Sequence, residues 1–141
     1  LLSACRRLLV IAAEDIGLAY PQGIILAKAC VDSARELGLP EAVIPLADLV
    51  VALATAPKSN SAYAAYHAAV GDLQAGHGQE VPLHLQSPLF KGYKYPHDYP
   101  NHYVKQQYLP GDLAGRQYYV FGENKTEQAA KVYWDKIKGE K

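Results

Sequence analysis

Residues 43–56 read VIPLADLVVALATA, and this stretch is apolar on nearly every side, with Asp48 as its single charge. Pro40 and Glu41 precede this stretch and are predicted to begin its helix. Pro45 falls near the first turn, where a missing N–H costs least. The pattern predicts a helix from Pro40 to about Ala56. A helix that is apolar nearly all round needs more cover than short neighbours give, so we expect this segment to take part in self-association.

Three further helices are predicted around it in the first half of the chain. The first runs from residue 1 to about residue 16 and stops at Gly17, and the second runs from Pro21 to Gly38. The fourth begins near Ser61, after a Ser/Asn cap, and ends at Gln74.

Alanine is dense in the third and fourth predicted helices. Small side chains let helix axes approach closely, which suits tight packing inside the domain or between subunits. The candidates for packing between subunits are Leu46, Leu49, Val50, Leu53, Ala65 and Ala69.

The second half changes character. Residues 79–121 are rich in Pro, Tyr and His and show little helical periodicity, although 116–121 is compatible with a short strand. A polar helix capped by Thr126 is predicted up to Lys138. The fold class is therefore all-α: a bundle of about four helices, a long irregular arm and a final polar helix. We expect one domain over 1–141, made of a helical core (1–78), the arm (79–121) and the terminal helix (122–141).

The charge balance excludes strong long-range attraction to nucleic acid or anionic lipid, because 14 basic residues meet 14 acidic ones. Residues 1–75 hold five Lys/Arg and seven Asp/Glu, whereas residues 76–141 hold nine and seven, so attraction for phosphate is expected in the second half. Cys5 and Cys30 lie in apolar helical context and are expected in the core. Charged residues interrupt every apolar run, so no membrane span and no membrane partner are predicted.

Sequence patterns for catalysis are absent. The chain contains no G-x-x-x-x-G-K-[ST] loop, no G-x-G-x-x-G, no G-x-S-x-G and no H-E-x-x-H. His97, Asp98 and His102 form the one cluster that suggests a metal, but zinc requires three or four ligands and no cysteine lies near them. We therefore predict no catalytic, cofactor-binding or metal-binding residue in this chain, and a free-standing enzyme is disfavoured.

The arm contains the residues that suggest a ligand. Between residues 91 and 100 aromatic side chains alternate with lysines, a pattern that suits stacking on unpaired bases while ammonium groups meet phosphates. The alternative is a structural arm whose tyrosine rings pack on the helical core. In either case we expect the arm from residue 91 to residue 108 to be ordered against the helical core, with its five tyrosines buried. The candidate DNA contacts are Arg6, Arg7, Lys91, Tyr93, Lys94 and Tyr95.

Several ordered motifs match one family. They occupy residues 5–12, 14–19, 37–41, 44–47, 56–62, 81–85, 91–100 and 107–110, and include RRLLVIA, EDIGLA, APKSNSA and KGYKYPHDYP, while the interval between 85 and 91 is shorter than is usual in that family. Over residues 1 to about 120 the chain resembles the replication-associated recombination protein A (MgsA/RarA) family of AAA+ ATPases, to which the eukaryotic Werner-helicase-interacting protein is related.

The resemblance implies that the chain is the C-terminal piece of a larger protein. ATPase and lid domains, which would hold ATP and Mg, are expected to precede it, and none of their residues can be assigned here. It also implies an all-helical domain, similar to the C-terminal collar of clamp loaders, that forms homo-tetramers. The implied role lies in DNA replication, recombination and repair at stalled forks, in the nucleoid-associated cytoplasm. DNA and single-strand-binding protein are expected partners of the full-length protein, and the alternative role is contact with single-stranded DNA or a replisome partner.

Overall fold

The computed structural model describes residues 1–88 and 90–139, so Leu89 of the predicted arm and Glu140 and Lys141 of the terminal segment lie outside the described residues. Within these ranges the chain contains five α-helices and no strand, which confirms the all-α prediction. The helices are α1 (Leu2–Ile11), α2 (Gln22–Leu37), α3 (Val43–Thr55), α4 (Ser61–Gln74) and α5 (Lys125–Lys138).

The chain divides into two compact units. The first comprises Leu1–Ala64 and Phe121–Gln128, and the second comprises Ala65–Val120 and Ala129–Lys141. The boundaries fall within α4 and α5, so each of these helices contributes residues to both units.

The first unit has an apolar core made by α1, α2 and α3. Helical spacing places one stripe of each helix in this core, and α2 and α3 pack against one another most extensively. Its buried members are Cys5, Ala12, Ile16, Ala27, Val31, Leu49 and Leu53. Cys5 is fully buried and Cys30 packs half-buried beside the core, and both are free thiols.

The connection after α1 depends on a glycine. A π-helical turn, Ala12–Ile16, follows α1 directly and carries Ile16 into the core. Gly17 then adopts φ +51°, and a Cβ atom there would lie 2.5 Å from the Ser59 carbonyl oxygen. The Ser59 N–H donates to the Asp15 carbonyl at 2.8 Å. The segment before α4 therefore lies directly against this turn, and the close approach requires a residue without a side chain.

The second unit contains far less buried apolar surface. Leu113 is its one buried hydrophobic residue among those described. The arm contains short 3₁₀ turns joined by segments without regular secondary structure. The turns are Leu83–Leu85, Pro96–Asp98, Pro100–His102 and Gly111–Leu113. The segment 116–121 has no strand partner and is not a strand.

Burial of the five arm tyrosines was predicted, and this prediction is wrong for four of them. Tyr93 and Tyr99 are 38% exposed, Tyr108 is 47% exposed and Tyr95 is 54% exposed. Tyr103 is half-buried, with its ring edge-on to that of Trp134 at a centroid distance of 5.4 Å. Local backbone bonds close the turns of this arm, so its order does not require each ring to be buried.

The cap of α5 is also corrected. The helix begins at Lys125, and the Asn124 Oδ1 accepts the Glu127 N–H at 2.9 Å. The Asn124 amide in turn donates to the Glu127 carboxylate, which is 2% exposed. Asn124 is therefore the N-cap, and Thr126, the predicted cap, lies inside the first turn.

Candidate functional site

The first candidate surface is the outer face of α3. Its apolar side chains are well exposed: Val43 is 56%, Ile44 60%, Val50 50% and Val51 62% exposed. Because the opposite face carries Leu49 and Leu53 into the core, α3 presents apolar side chains both inward and outward. These exposed side chains recur seven residues apart on one side of the helix and form a continuous apolar face, which makes α3 a candidate interaction surface.

The six residues predicted to pack between subunits divide into two groups. Leu49 and Leu53 are 0% and 3% exposed, so side chains of their own unit already cover them. Leu46 is half-buried against the same core and Val50 is exposed. Ala65 and Ala69 are half-buried in the second unit. Direct contact with another subunit is therefore open to Val50, and in part to Leu46, Ala65 and Ala69.

An open groove adjoins this face within the first unit. It has a volume of about 720 Å³, and its apolar lining includes Leu8, Ile11 and Val50. Lys58 lies at its polar end, where its ammonium group donates to the Leu53 carbonyl at 3.0 Å and also to the carbonyls of Ala54 and Ala56. The ammonium group satisfies carbonyls at the C-terminal end of α3 that have no partner within the helix, and its positive charge interacts favourably with the negative end of the helix dipole. The Lys58 charge is thus used to end the helix.

The second candidate surface is the arm. Lys91, Lys94 and Lys105 are exposed, and none forms an ion pair within residues 1–88 and 90–139. Residues 91–108 contain a single acid, Asp98, so this part of the arm carries a net charge of +2. The local excess of positive charge predicted for the second half is found on one exposed segment.

A glutamine side chain holds the arm at Lys94. Gln106 Oε1 accepts the Lys94 N–H at 3.1 Å, and Gln106 Nε2 donates to the Lys94 carbonyl at 2.7 Å. The same amide nitrogen donates to the Tyr108 hydroxyl at 2.8 Å. Both main-chain groups of Lys94 are thereby satisfied, so the backbone here is held in place although its side chain is exposed.

Three aromatic rings follow Lys94 in a row. The Tyr95 and His97 ring centroids are 5.1 Å apart, and those of His97 and His102 are 4.8 Å apart. All three side chains are exposed. Asn101 and His102 have φ values of +57° and +53°, a left-handed conformation that two successive non-glycine residues seldom adopt. We call Tyr95, His97 and His102 the ring row. The sequence analysis considered both histidines for a metal site and predicted none.

A polar cluster at the end of α4 ties the arm to that helix. Arg116 and the Tyr118 hydroxyl both donate to the Asp72 carboxylate. The hydrogen bond from Tyr118, followed by the Arg116 guanidinium, lowers the pKa of Asp72. Burial, and then the bond to Asp72, raises the pKa of Tyr118. Close by, Asp112 accepts the Gly78 N–H at 3.0 Å and lies 3.4 Å from His77 Nδ1. No local sequence pattern predicts this cluster, because its members come from distant segments.

The remaining predicted DNA contacts lie in the first unit. Arg6 and Arg7 are both exposed on α1, and neither has an ion-pair partner in the described part of the chain. Lys91, Tyr93, Lys94 and Tyr95 belong to the second unit. Tyr93 is close to Phe90, at a ring distance of 6.5 Å.

Among the described residues, no group of three or more His, Cys, Asp or Glu side chains is placed to hold a metal ion. Within the same residues, none of the helices combines the length and the apolar character needed to cross a bilayer.

Comparison with known proteins defines the class of the chain. Residues 1–138 match the family model described as "MgsA AAA+ ATPase C terminal". The chain is thus a C-terminal domain of the AAA+ ATPase class, and it belongs to the MgsA family. It is 46% identical to the replication-associated recombination protein A of Bacillus subtilis, over 96% of this chain and 34% of that protein.

Two further relatives extend the comparison. The replication-associated recombination protein A of Escherichia coli K12 is 36% identical over 84% of this chain and 29% of that protein. The ATPase WRNIP1 of Dictyostelium discoideum is 32% identical over 82% of this chain and 14% of its own length. The chain thus spans about a third or less of the relatives it matches.

Proposed function

We propose that this chain is the self-association domain, forming homo-tetramers, of a AAA+ ATPase that acts in DNA replication, recombination and repair at stalled forks. The single observation that carries the proposal is the exposed apolar face of α3, with Val50 and Val51 at 50% and 62% exposure. Moving such side chains out of water contributes about 25 cal/mol for each Å² buried. A second copy that covers this face would therefore gain free energy from residues that α3 cannot bury by itself.

The wider role rests on family membership and on the names of the relatives, which include replication-associated recombination protein A. In the proposed full-length protein, ATP and Mg bind a separate ATPase domain, and this chain contributes assembly. DNA and single-strand-binding protein are its proposed partners in the nucleoid-associated cytoplasm. The chain alone is expected to bind no ATP, and calorimetry with ATP and Mg²⁺ measures this directly.

Sedimentation of the chain tests self-association. We expect a tetramer mass at micromolar concentration, and a Val50→Glu variant should sediment as a smaller species, because an unpaired charge would be buried in the interface. Ala130→Glu adds the same charge at an exposed position of α5 and serves as the matched control. A monomer mass for the unmodified chain would refute the proposal.

A second role, contact with single-stranded DNA, is favoured by a separate observation. Lys91, Lys94 and Lys105 are exposed and lack ion-pair partners in the described residues, on a segment that also exposes aromatic rings. Free lysines contribute to DNA binding by releasing counterions from phosphates. The two roles use different residues: α3 belongs to the first unit and these lysines belong to the second.

A further inference from the structure

The backbone that carries the ring row is restrained by prolines and by local hydrogen bonds. Two successive 3₁₀ turns, Pro96–Asp98 and Pro100–His102, each begin with proline, which restricts the backbone before any ligand binds. Backbone bonds close both turns: the Asp98 N–H donates to the Tyr95 carbonyl at 3.0 Å, and the His102 N–H donates to the Tyr99 carbonyl at 3.1 Å. The surface is therefore organised in advance.

The backbone is also in an unfavourable conformation at Asn101 and His102, the residues that position the His102 ring. Asn101 and His102 are both left-handed, and such conformations are unfavourable for non-glycine residues unless the surrounding structure maintains them. Asparagine and histidine are both among the non-glycine residues found most often in this region. The outcome of the strained turn is the 4.8 Å contact between the His97 and His102 rings.

The chemistry around the row defines what it can recognise. Three exposed rings offer flat π surfaces, and Lys91 and Lys94 supply positive charge from the same segment. Gln106 holds the Lys94 backbone through both of its main-chain groups, so the lysine and the neighbouring Tyr95 are presented together. Planar groups joined to regularly spaced negative charges are the features of unpaired nucleotides.

We propose that Tyr95, His97 and His102 form a stacking platform for unpaired bases of a single-stranded nucleic acid, with Lys91 and Lys94 engaging the flanking phosphates. The proposal rests on the second role given above and adds the residues that contact the bases. It assigns a stacking role to the two histidines, for which the sequence predicts no metal-binding role. Binding should then depend on the bases as well as on the phosphates.

Two probes separate these contributions: a labelled oligothymidine of about twenty nucleotides, and an abasic strand of the same length and charge. Fluorescence anisotropy with the 141-residue chain should show the oligothymidine bound at least about tenfold more tightly than the abasic strand, since each stacked base strengthens binding appreciably. The Tyr95→Ala, His97→Ala double variant should lose that preference and bind the abasic strand as before.

Two further variants report on the surrounding parts of the site. A Lys91→Ala, Lys94→Ala double variant should weaken binding of both strands and reduce the salt slope by roughly one to two units. Gln106→Ala should reduce the preference for bases while the lysines remain. Tyr133→Ala removes an aromatic ring that is 67% exposed on α5 and should change neither affinity. Because the substituted ring-row side chains are exposed, an unchanged melting temperature verifies that each variant is folded.

The outcomes distinguish the stacking platform from the second role, which is contact with single-stranded DNA through the lysines. Equal binding of the two strands would overturn the stacking platform and leave phosphate contact in place. Binding of neither strand would overturn both. Competition by polyglutamate as effective as that by oligothymidine would also overturn the platform, and would identify an acidic protein segment as the ligand.

Discussion

Arg116 and Asp72 are 44 residues apart in sequence and form a bidentate salt bridge. The Arg116 Nε donates to Asp72 Oδ2 at 2.9 Å, and its Nη2 donates to Oδ1 at 3.2 Å. The Tyr118 hydroxyl donates to the same carboxylate at 2.8 Å. One acid near the end of α4 thereby holds the far end of the arm in a unit where Leu113 is the one buried hydrophobic among the described residues.

This cluster should make stability depend on pH in the acid range. The pKa of Asp72 is lowered in the folded chain, mainly by the bond from Tyr118. Its contribution is therefore complete above the unfolded pKa of about 3.9 and is lost as the pH falls through the lower folded value. Asp72→Asn should lower the melting temperature at pH 7, and should lower it much less at pH 2.

Tyr118→Phe is the matched variant for this prediction. It removes the first cause of the pKa shift and keeps the Arg116 pair, so its effect at pH 7 should be smaller than that of Asp72→Asn. Asp135, whose pKa is lowered by Lys131 and then Lys138, is unchanged in both variants and contributes equally. If the melting temperatures of the unmodified chain and of Asp72→Asn differ by the same amount at every pH from 7 to 2, the proposed role of the Asp72 charge is contradicted.

Two neighbouring residues on α3 should respond differently to the same truncation. Leu49 is fully buried, so Leu49→Ala should lower the free energy of unfolding by about 2–5 kcal/mol through loss of burial and a residual cavity. Val50 is 50% exposed, so Val50→Ala should leave the stability of the monomer nearly unchanged and weaken self-association. Urea denaturation and sedimentation across a concentration series measure the two effects. Loss of assembly in neither variant would argue against the α3 face as the interface.

The turn after α1 should not tolerate a side chain. Gly17→Ala combines φ +51° with a Cβ placed 2.5 Å from the Ser59 carbonyl oxygen, so it should destabilise the chain by on the order of 1–3 kcal/mol. Gly71→Ala is the control: it lies inside α4 with open space around the added Cβ, and should stabilise the helix by about 0.5–1 kcal/mol. Equal effects of the two substitutions in chemical denaturation would contradict the described turn.

The cap of α5 distinguishes the structure from the sequence prediction. Asn124→Ala should cost about 1 kcal/mol, because the Glu127 N–H loses its acceptor. Thr126→Ala, which removes the predicted cap residue, should stay within about 0.5 kcal/mol, because Thr126 is exposed inside the first turn. Thermal unfolding of the two variants decides between the caps, and a larger loss for Thr126→Ala would restore the original prediction.

Helix positions could be predicted well because local patterns specify them. The third helix was expected from Pro40 to about Ala56 and runs from Val43 to Thr55, and the fourth matches its predicted ends. Periodic apolar residues, a proline in the first turn and glycines after the last turn act within a few residues of one another. The Asn124 cap was missed because Thr and Asn are both good caps, and only the backbone shows which of them precedes the first turn.

The sequence by itself determined the all-α class, the helix positions, the family and the presence of a basic, aromatic arm. Tertiary structure alone decided which apolar residues of α3 face the core, leaving Val50 outside and Leu49 inside. It also decided that Asp72 meets Arg116 and that Gln106 holds Lys94. The physical reason is range: helix formation and capping depend on neighbours along the chain. Burial and polar pairing depend on which distant segments the folded backbone brings within a few ångströms, and a single sequence does not encode those distances in any local pattern.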